Sequence, residues 1–181
     1  GLTAVRYPSN RVVAYCYDAA GRVKRVHNGA LGSAAECDTA NTGNYLDEAG
    51  YTAHGEMETA RLGNQVVESR GYNSRLQAVS IQAGALLELG YGYGAAGENN
   101  GNVRTQTITA GGATYYQSYD YDAVNRILLA KEGPAAGSGA NWTRSFDQDG
   151  LGNVWVTAAT GIPAGSFTPV TEDWYRDAEG K

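Results

Sequence analysis

Tyr15-Cys16-Tyr17-Asp18-Ala19-Ala20-Gly21-Arg22 decides the fold, because the chain repeats it. Tyr91-Gly92-Tyr93-Gly94-Ala95-Ala96-Gly97-Glu98, Tyr119-Asp120-Tyr121-Asp122-Ala123-Val124-Asn125-Arg126 and Trp174-Tyr175-Arg176-Asp177-Ala178-Glu179-Gly180-Lys181 follow the same pattern. It reads aromatic, any residue, Tyr, Asp, two residues, Gly, Arg, with substitutions. Phe146-Asp147-Gln148-Asp149-Gly150-Leu151-Gly152-Asn153 fits once Asp149 is set against Asp122, and Gly71-Tyr72-Asn73-Ser74-Arg75-Leu76 is a shorter relative. At the Asp position, residues 94, 122, 149 and 177 stand 28, 27 and 28 apart. A fixed period of this size marks a repeat architecture.

Each unit reads as a β-hairpin. Tyr15 and Tyr17 are two apart and share one strand face. Asp18 accepts local backbone N–H groups in a turn, and Gly21 takes positive φ. Asn125 stands where Gly21 does, as the next residue to tolerate that region. Arg22 to Val26 and Ile127 to Ala130 run back as return strands. Further strands are expected at Gln65–Arg70, Leu76–Ile81, Asn102–Thr109, Thr114–Tyr121 and Asn153–Thr157. A lone hairpin is marginal, so each must pair with its neighbours. The expectation is an all-β protein of about a dozen strands: antiparallel hairpins in a twisted, curved open sheet. Residues 1–181 form one continuous array, with an irregular loop insertion at 28–50, where Ala, Gly, Asn and Thr follow no period.

Composition agrees and narrows function. The 181 residues hold 25 Gly and 13 Tyr against 2 Phe, which weakens helices and favours strands. A net charge of −5 argues against nucleic-acid binding, which needs a basic stripe. No apolar run is long enough to span a membrane. No signal peptide is visible, and the start at Gly1 suggests an excised or processed piece.

The turns, taken with Leu62-Gly63-Asn64-Gln65-Val66-Val67-Glu68, Gly101-Asn102-Val103 and Arg11-Val12-Val13-Ala14, resemble the Tyr-Asp (YD) repeats of the Rhs family. That family comprises bacterial Rhs proteins, the C components of Tc toxins and the teneurins. The resemblance covers most of the chain and implies hairpins joined edge to edge in a shell around a C-terminal toxin or effector domain. It implies a non-catalytic scaffold, toxin-associated, secreted or on a bacterial cell surface, whose partners are the rest of the shell and its cargo. The Pro-rich motif that ends such shells is absent, so no self-cleavage residue transfers to this chain. Free sheet edges invite pairing between copies. A rival reading is an extracellular module that binds polysaccharide or protein through its Tyr-rich face.

The residues expected to carry structure are Tyr15, Tyr17, Asp18, Gly21 and Arg22; Tyr72, Asn73 and Arg75; and Tyr91, Tyr93 and Gly97. Tyr119, Tyr121, Asp122, Asn125 and Arg126 follow, then Asp149, Gly152 and Asn153, then Asp177 and Gly180. Within a unit, the ring should pack across strands and Asp should cap the turn. Arg should pair with an acid or carbonyl in an adjacent hairpin.

Sharper chemistry finds little support. Gly92-Tyr93-Gly94-Ala95-Ala96-Gly97 spells a dinucleotide fingerprint, but a turn rather than a helix follows it. Asp147-Gln148-Asp149-Gly150 opens like a calcium loop but lacks the closing Glu, with Ala158 in its place. Glu56 and Glu58 share a strand face, unlike glycosidase carboxylates that oppose each other across a sugar. His27 and His54 read as solvent-facing loop residues, and their spacing to Cys16 and Cys37 is unlike compact zinc motifs. Catalytic residues, cofactor and metal are therefore all expected to be none. Cys16, in a strand, and Cys37, in a loop, allow one disulfide closing about 20 residues, worth roughly 3 kcal/mol if formed. The sequence leaves that pairing open.

Overall fold

Short runs of Val, Tyr, Thr and Ala, punctuated by Gly, Asn and Asp, produce short strands and tight turns. The computed structural model describes residues 1–39, 43–135 and 139–161 and contains thirteen strands. They are β1 Ala4–Arg6, β2 Val12–Tyr17, β3 Val23–Asn28, β4 Leu46–Tyr51, β5 Met57–Leu62, β6 Val67–Tyr72 and β7 Ala78–Ala83. Then come β8 Leu87–Gly92, β9 Thr105–Ala110, β10 Ala113–Tyr121, β11 Ile127–Gly133, β12 Trp142–Gln148 and β13 Val154–Thr160. They lie in chain order in one open antiparallel sheet. Among the described residues the helical structure is a short 3-10 helix, Ala34–Asp38. The all-β expectation holds.

Among the described residues, seven hairpin turns share one construction. In each, the first residue's N–H donates to the carbonyl four residues on, and the fourth residue's N–H donates back to the first carbonyl. The turns are Tyr7–Arg11, Asp18–Arg22, Thr52–Glu56, Leu62–Val66, Asn73–Gln77, Asp122–Arg126 and Asp149–Asn153. This is a type I turn followed by a bulge residue in the left-handed region. The fourth residues are Asn10, Gly21, Gly55, Gln65, Leu76, Asn125 and Gly152, all with φ between 61° and 99°.

That construction moves two strand starts. Gln65 and Leu76, read from sequence as strand residues, are the left-handed turn residues at φ 67° and 61°. Strands β6 and β7 therefore begin at Val67 and Ala78. Neither Gln nor Leu favours this conformation, so nothing in their identity announces it.

The chain divides into two compact units, 1–88 and 89–181. The first buries Val13, Ala14, Cys16 and Ala60 together with Arg25, His27, Asn44 and Asp47; the second buries Ala130 and Trp155. Most other described strand positions are half-buried at odd and even places alike. Residues 28–50 contain the 3-10 helix, and β4 begins within them at Leu46. The Glu36 carboxylate accepts the Gly32 and Ser33 N–H groups at the start of that helix.

Candidate functional site

The repeated turn is the first place where side chains act in concert. Asp18 Oδ1 accepts the backbone N–H of Ala20 and of Arg22, both at 2.9 Å. Its Oδ2 takes Arg22 Nε at 2.8 Å. Asp122 repeats this with Val124 and Arg126 N–H at 2.9 and 2.8 Å, and with Arg126 Nε at 2.6 Å. Asp149 does so with Leu151 and Asn153, and Asn153 Nδ2 replaces the guanidinium at 2.7 Å. In the Asn73 turn, Oδ1 accepts Arg75 and Gln77 N–H, and Nδ2 donates to Gln77 Oε1 at 2.8 Å. An acceptor at the first position thus ties down two amides, and the fifth side chain closes on it.

The ionised form benefits. The Arg22 N–H holds the Asp18 carboxyl below its ordinary range, and the Arg126 N–H does the same for Asp122. For Asp149 the Asn153 side chain is the leading cause. The fifth-position arginine was expected to reach an adjacent hairpin. It closes first on the Asp of its own turn, because the bulge sets the two side chains opposite each other. Arg22 also lies over the Tyr51 ring at 4.6 Å and approaches the Thr52 carbonyl at 3.4 Å.

A second set of bonds joins successive hairpins. Tyr51 donates its hydroxyl to the Val23 carbonyl at 2.6 Å, and Tyr72 to Met57 at 2.7 Å. Tyr121 donates to Val103 at 2.8 Å, and Tyr17 to Leu2 at 2.6 Å. Each tyrosine immediately precedes a turn. Val23 is the first residue after the Asp18–Arg22 turn, and Met57 the first after the Thr52–Glu56 turn. Gln148 precedes the Asp149 turn, and its Nε2 donates to Ile127, the first residue after the Asp122 turn, at 2.7 Å. The acceptors lie past the end of the backbone ladder: β5 and β6 last pair at Thr59 with Ser69, and β11 and β12 at Leu129 with Ser145. Those carbonyls need a partner, and the side-chain clasp supplies it.

Other predicted residues fall around this frame. Tyr15 lies in β2, Tyr91 in β8, and Tyr119 in β10, where its hydroxyl is 2.8 Å from Gln106 Oε1 and 2.7 Å from Gln117 Oε1. Tyr93 follows β8, and Gly97 sits in the β8–β9 connection at φ 93°. All four rings are half-buried, and burial raises the phenol pKa of Tyr93, Tyr119 and Tyr121. Asp177 and Gly180 lie outside the described residues. Two members of the clasp were missed in the sequence: Tyr51 with its Thr52 turn, and Gln148. In Tyr51-Thr52-Ala53-His54-Gly55, an aromatic followed four residues later by Gly was the available signal. Thr52 masks it by replacing Asp, and its hydroxyl donates to Glu56 at 2.6 Å.

A different cluster lies beneath the 3-10 helix. Cys16 and Cys37 are joined in a disulfide. Arg25 donates to the Cys37 carbonyl, and its Nε donates to the Asp47 carbonyl at 2.5 Å. The Asp47 carboxylate lies 3.2 Å from Arg61 Nε and 3.7 Å from Arg25 Nε. Lys24 pairs with Asp38 at 2.5 Å. His27 is buried in β3, not in a solvent-facing loop: it alternates with Arg25 onto the face that the 3-10 helix covers. His54 lies exposed in the Thr52 turn. The glycine motif at 92–97 runs from a strand end into turns.

No family model and no curated protein matches the chain. Solved structures do. A crystal structure of TcdB2-TccC3-Cdc42 superposes with TM-score 0.63 at 18% identity, covering 82% of this chain and 8% of that one. A Photorhabdus luminescens Tc holotoxin pore gives 0.60 at 17% identity, covering 87% and 8%. This is the fold of a Tc toxin segment. At such identities the likeness is one of fold, and the chain spans about 8% of the Tc toxin chains it matches. The YD-repeat resemblance read from the turns and the Tc toxin structures point to the same architecture.

Proposed function

We propose that this chain is a stretch of shell wall, a non-catalytic scaffold in a larger YD-repeat protein that encloses a toxin or effector domain. One observation carries the reading: side-chain clasps from Tyr51, Tyr72, Tyr121 and Gln148 join hairpins to their predecessors through backbone carbonyls. Such a bond extends a sheet by accretion and asks nothing of a ligand. Tyr17, Tyr51, Tyr72 and Tyr121 are engaged in it rather than presented as a stacking face for sugars. The partners under this reading are the neighbouring repeats and the enclosed domain, and the location is outside the cell or on its surface. A disulfide between Cys16 and Cys37 suits that oxidising setting.

The test is protease protection in the full-length parent protein. The domain encoded downstream of the repeats should resist digestion within the parent and be cut when expressed alone. Equal cleavage rates in both contexts would overturn encapsulation.

A further inference from the structure

Cys16 of β2, Cys37 of the 3-10 helix and His27 of β3 meet where that helix lies against the sheet, with one ligand atom of each lying within 4.8 Å of the others. Register explains the meeting: Ala14 pairs with His27 and Cys16 with Arg25, so these four share a face. His27 is 7% exposed, and its Nε2 is buried without a hydrogen-bond partner. A buried polar atom left unused calls for an explanation. Burial first, then the Arg25 charge, pulls the imidazole pKa below its ordinary value and favours the neutral ring, the form that ligates metals. The Cα atoms of the cysteines are 5.5 Å apart. Tetrahedral zinc takes thiolates at about 2.3 Å and imidazole at about 2.0–2.1 Å, which sets ligand atoms roughly 3.5–4 Å from one another. The three ligand atoms now lie within 4.8 Å of one another, and opening the S–S bond frees the two sulfurs to separate.

We propose that, when the disulfide is reduced, Cys16, Cys37 and His27 form a three-ligand site for a thiophilic divalent cation of the zinc class. A dithiol reductant delivers two electrons and two protons to the S–S bond and is itself oxidised to a disulfide. The cation then displaces both thiol protons as the two thiolates bind, and a lone pair of neutral His27 completes the protein ligands. Water takes the fourth position, since the nearby Glu36 carboxylate is engaged with Gly32 and Ser33. The 3-10 helix is thereby pinned to the sheet in either redox state, by metal in a reducing compartment and by the disulfide in an oxidising one.

Cobalt(II) titrated anaerobically into the full chain tests this. The phosphine-reduced chain should develop a thiolate-to-cobalt charge-transfer band saturating at one equivalent, and the oxidised chain should not. Loss of even an outer partner of a ligand costs about 10–100-fold in metal affinity, so His27→Gln should weaken binding at least about tenfold and alter the ligand-field bands. No band in the reduced chain, or an unchanged affinity and spectrum in His27→Gln, overturns the proposal. Circular dichroism covers loss of folding on reduction. In that event one equivalent of Zn²⁺ should restore the strand spectrum in the wild type and fail to do so in His27→Gln. Failure in the wild type also overturns the site.

Discussion

Tyr72→Phe removes one oxygen and isolates the clasp. The ring stays, and the Met57 carbonyl loses the hydroxyl that it holds at 2.7 Å in a part-buried position. A net hydrogen bond of this kind contributes about 1 kcal/mol, within a range of about 0.5–1.5. With a urea m-value of about 2 kcal/mol/M, that loss lowers the unfolding midpoint by about 0.5 M at unchanged slope. Tyr121→Phe lies in the other unit and should add independently, giving about 2 kcal/mol for the double variant. Tyr51→Phe is different. Tyr51 pairs in register with Met57, so its combination with Tyr72→Phe should depart from additivity. Tyr72→Leu, which also strips the ring, should cost more than Tyr72→Phe. An unchanged midpoint in Tyr72→Phe would show that ring packing alone joins the hairpins and would refute the clasp.

Three further outcomes are expected. Leu76 is exposed and held at φ 61°, where a side chain costs roughly 1–2 kcal/mol, so Leu76→Gly should raise stability by up to about 1 kcal/mol in the same melts after the glycine entropy cost. Asp18, Asp122 and Asp149 have folded pKa values below the ordinary 3.8. Their contribution is therefore complete above that value and disappears as pH falls below it through the folded values, and Asp122→Asn should flatten this acid limb in melts across pH 2–5. Reducing the Cys16–Cys37 bond, which spans 21 residues, should cost about 3 kcal/mol when measured with a metal chelator present, and a loss near zero would mean that the segment is held without it.

The turns were legible because Asp, Gly and Asn advertise the conformation they adopt. Asp18 with Gly21 and Asp122 with Asn125 gave period, hairpin and fold class together. Leu76 and Gln65 occupy the same left-handed position without any such preference, since the flanking ladder imposes it, and strand starts slipped there. The clasp was half visible. Tyr17, Tyr72 and Tyr121 before their turns could be read, whereas the acceptor could not, because a backbone carbonyl has no letter in the sequence. His27 was misjudged for a related reason. Its burial comes from a segment ten residues further on folding back over β3, a long-range fact that local pattern does not encode.

The identity of the acceptor has one more consequence. Val23, Met57, Val103, Ile127 and Leu2 receive the clasp through an atom that every residue possesses. Substitution at those places leaves the bond intact, so half of each joint is invisible to selection on side chains. Even the donor can be exchanged, as Gln148 shows. An architecture fastened this way can replace most of its amino acids while keeping its course, and this chain shares its fold with Tc toxin structures at 17–18% identity.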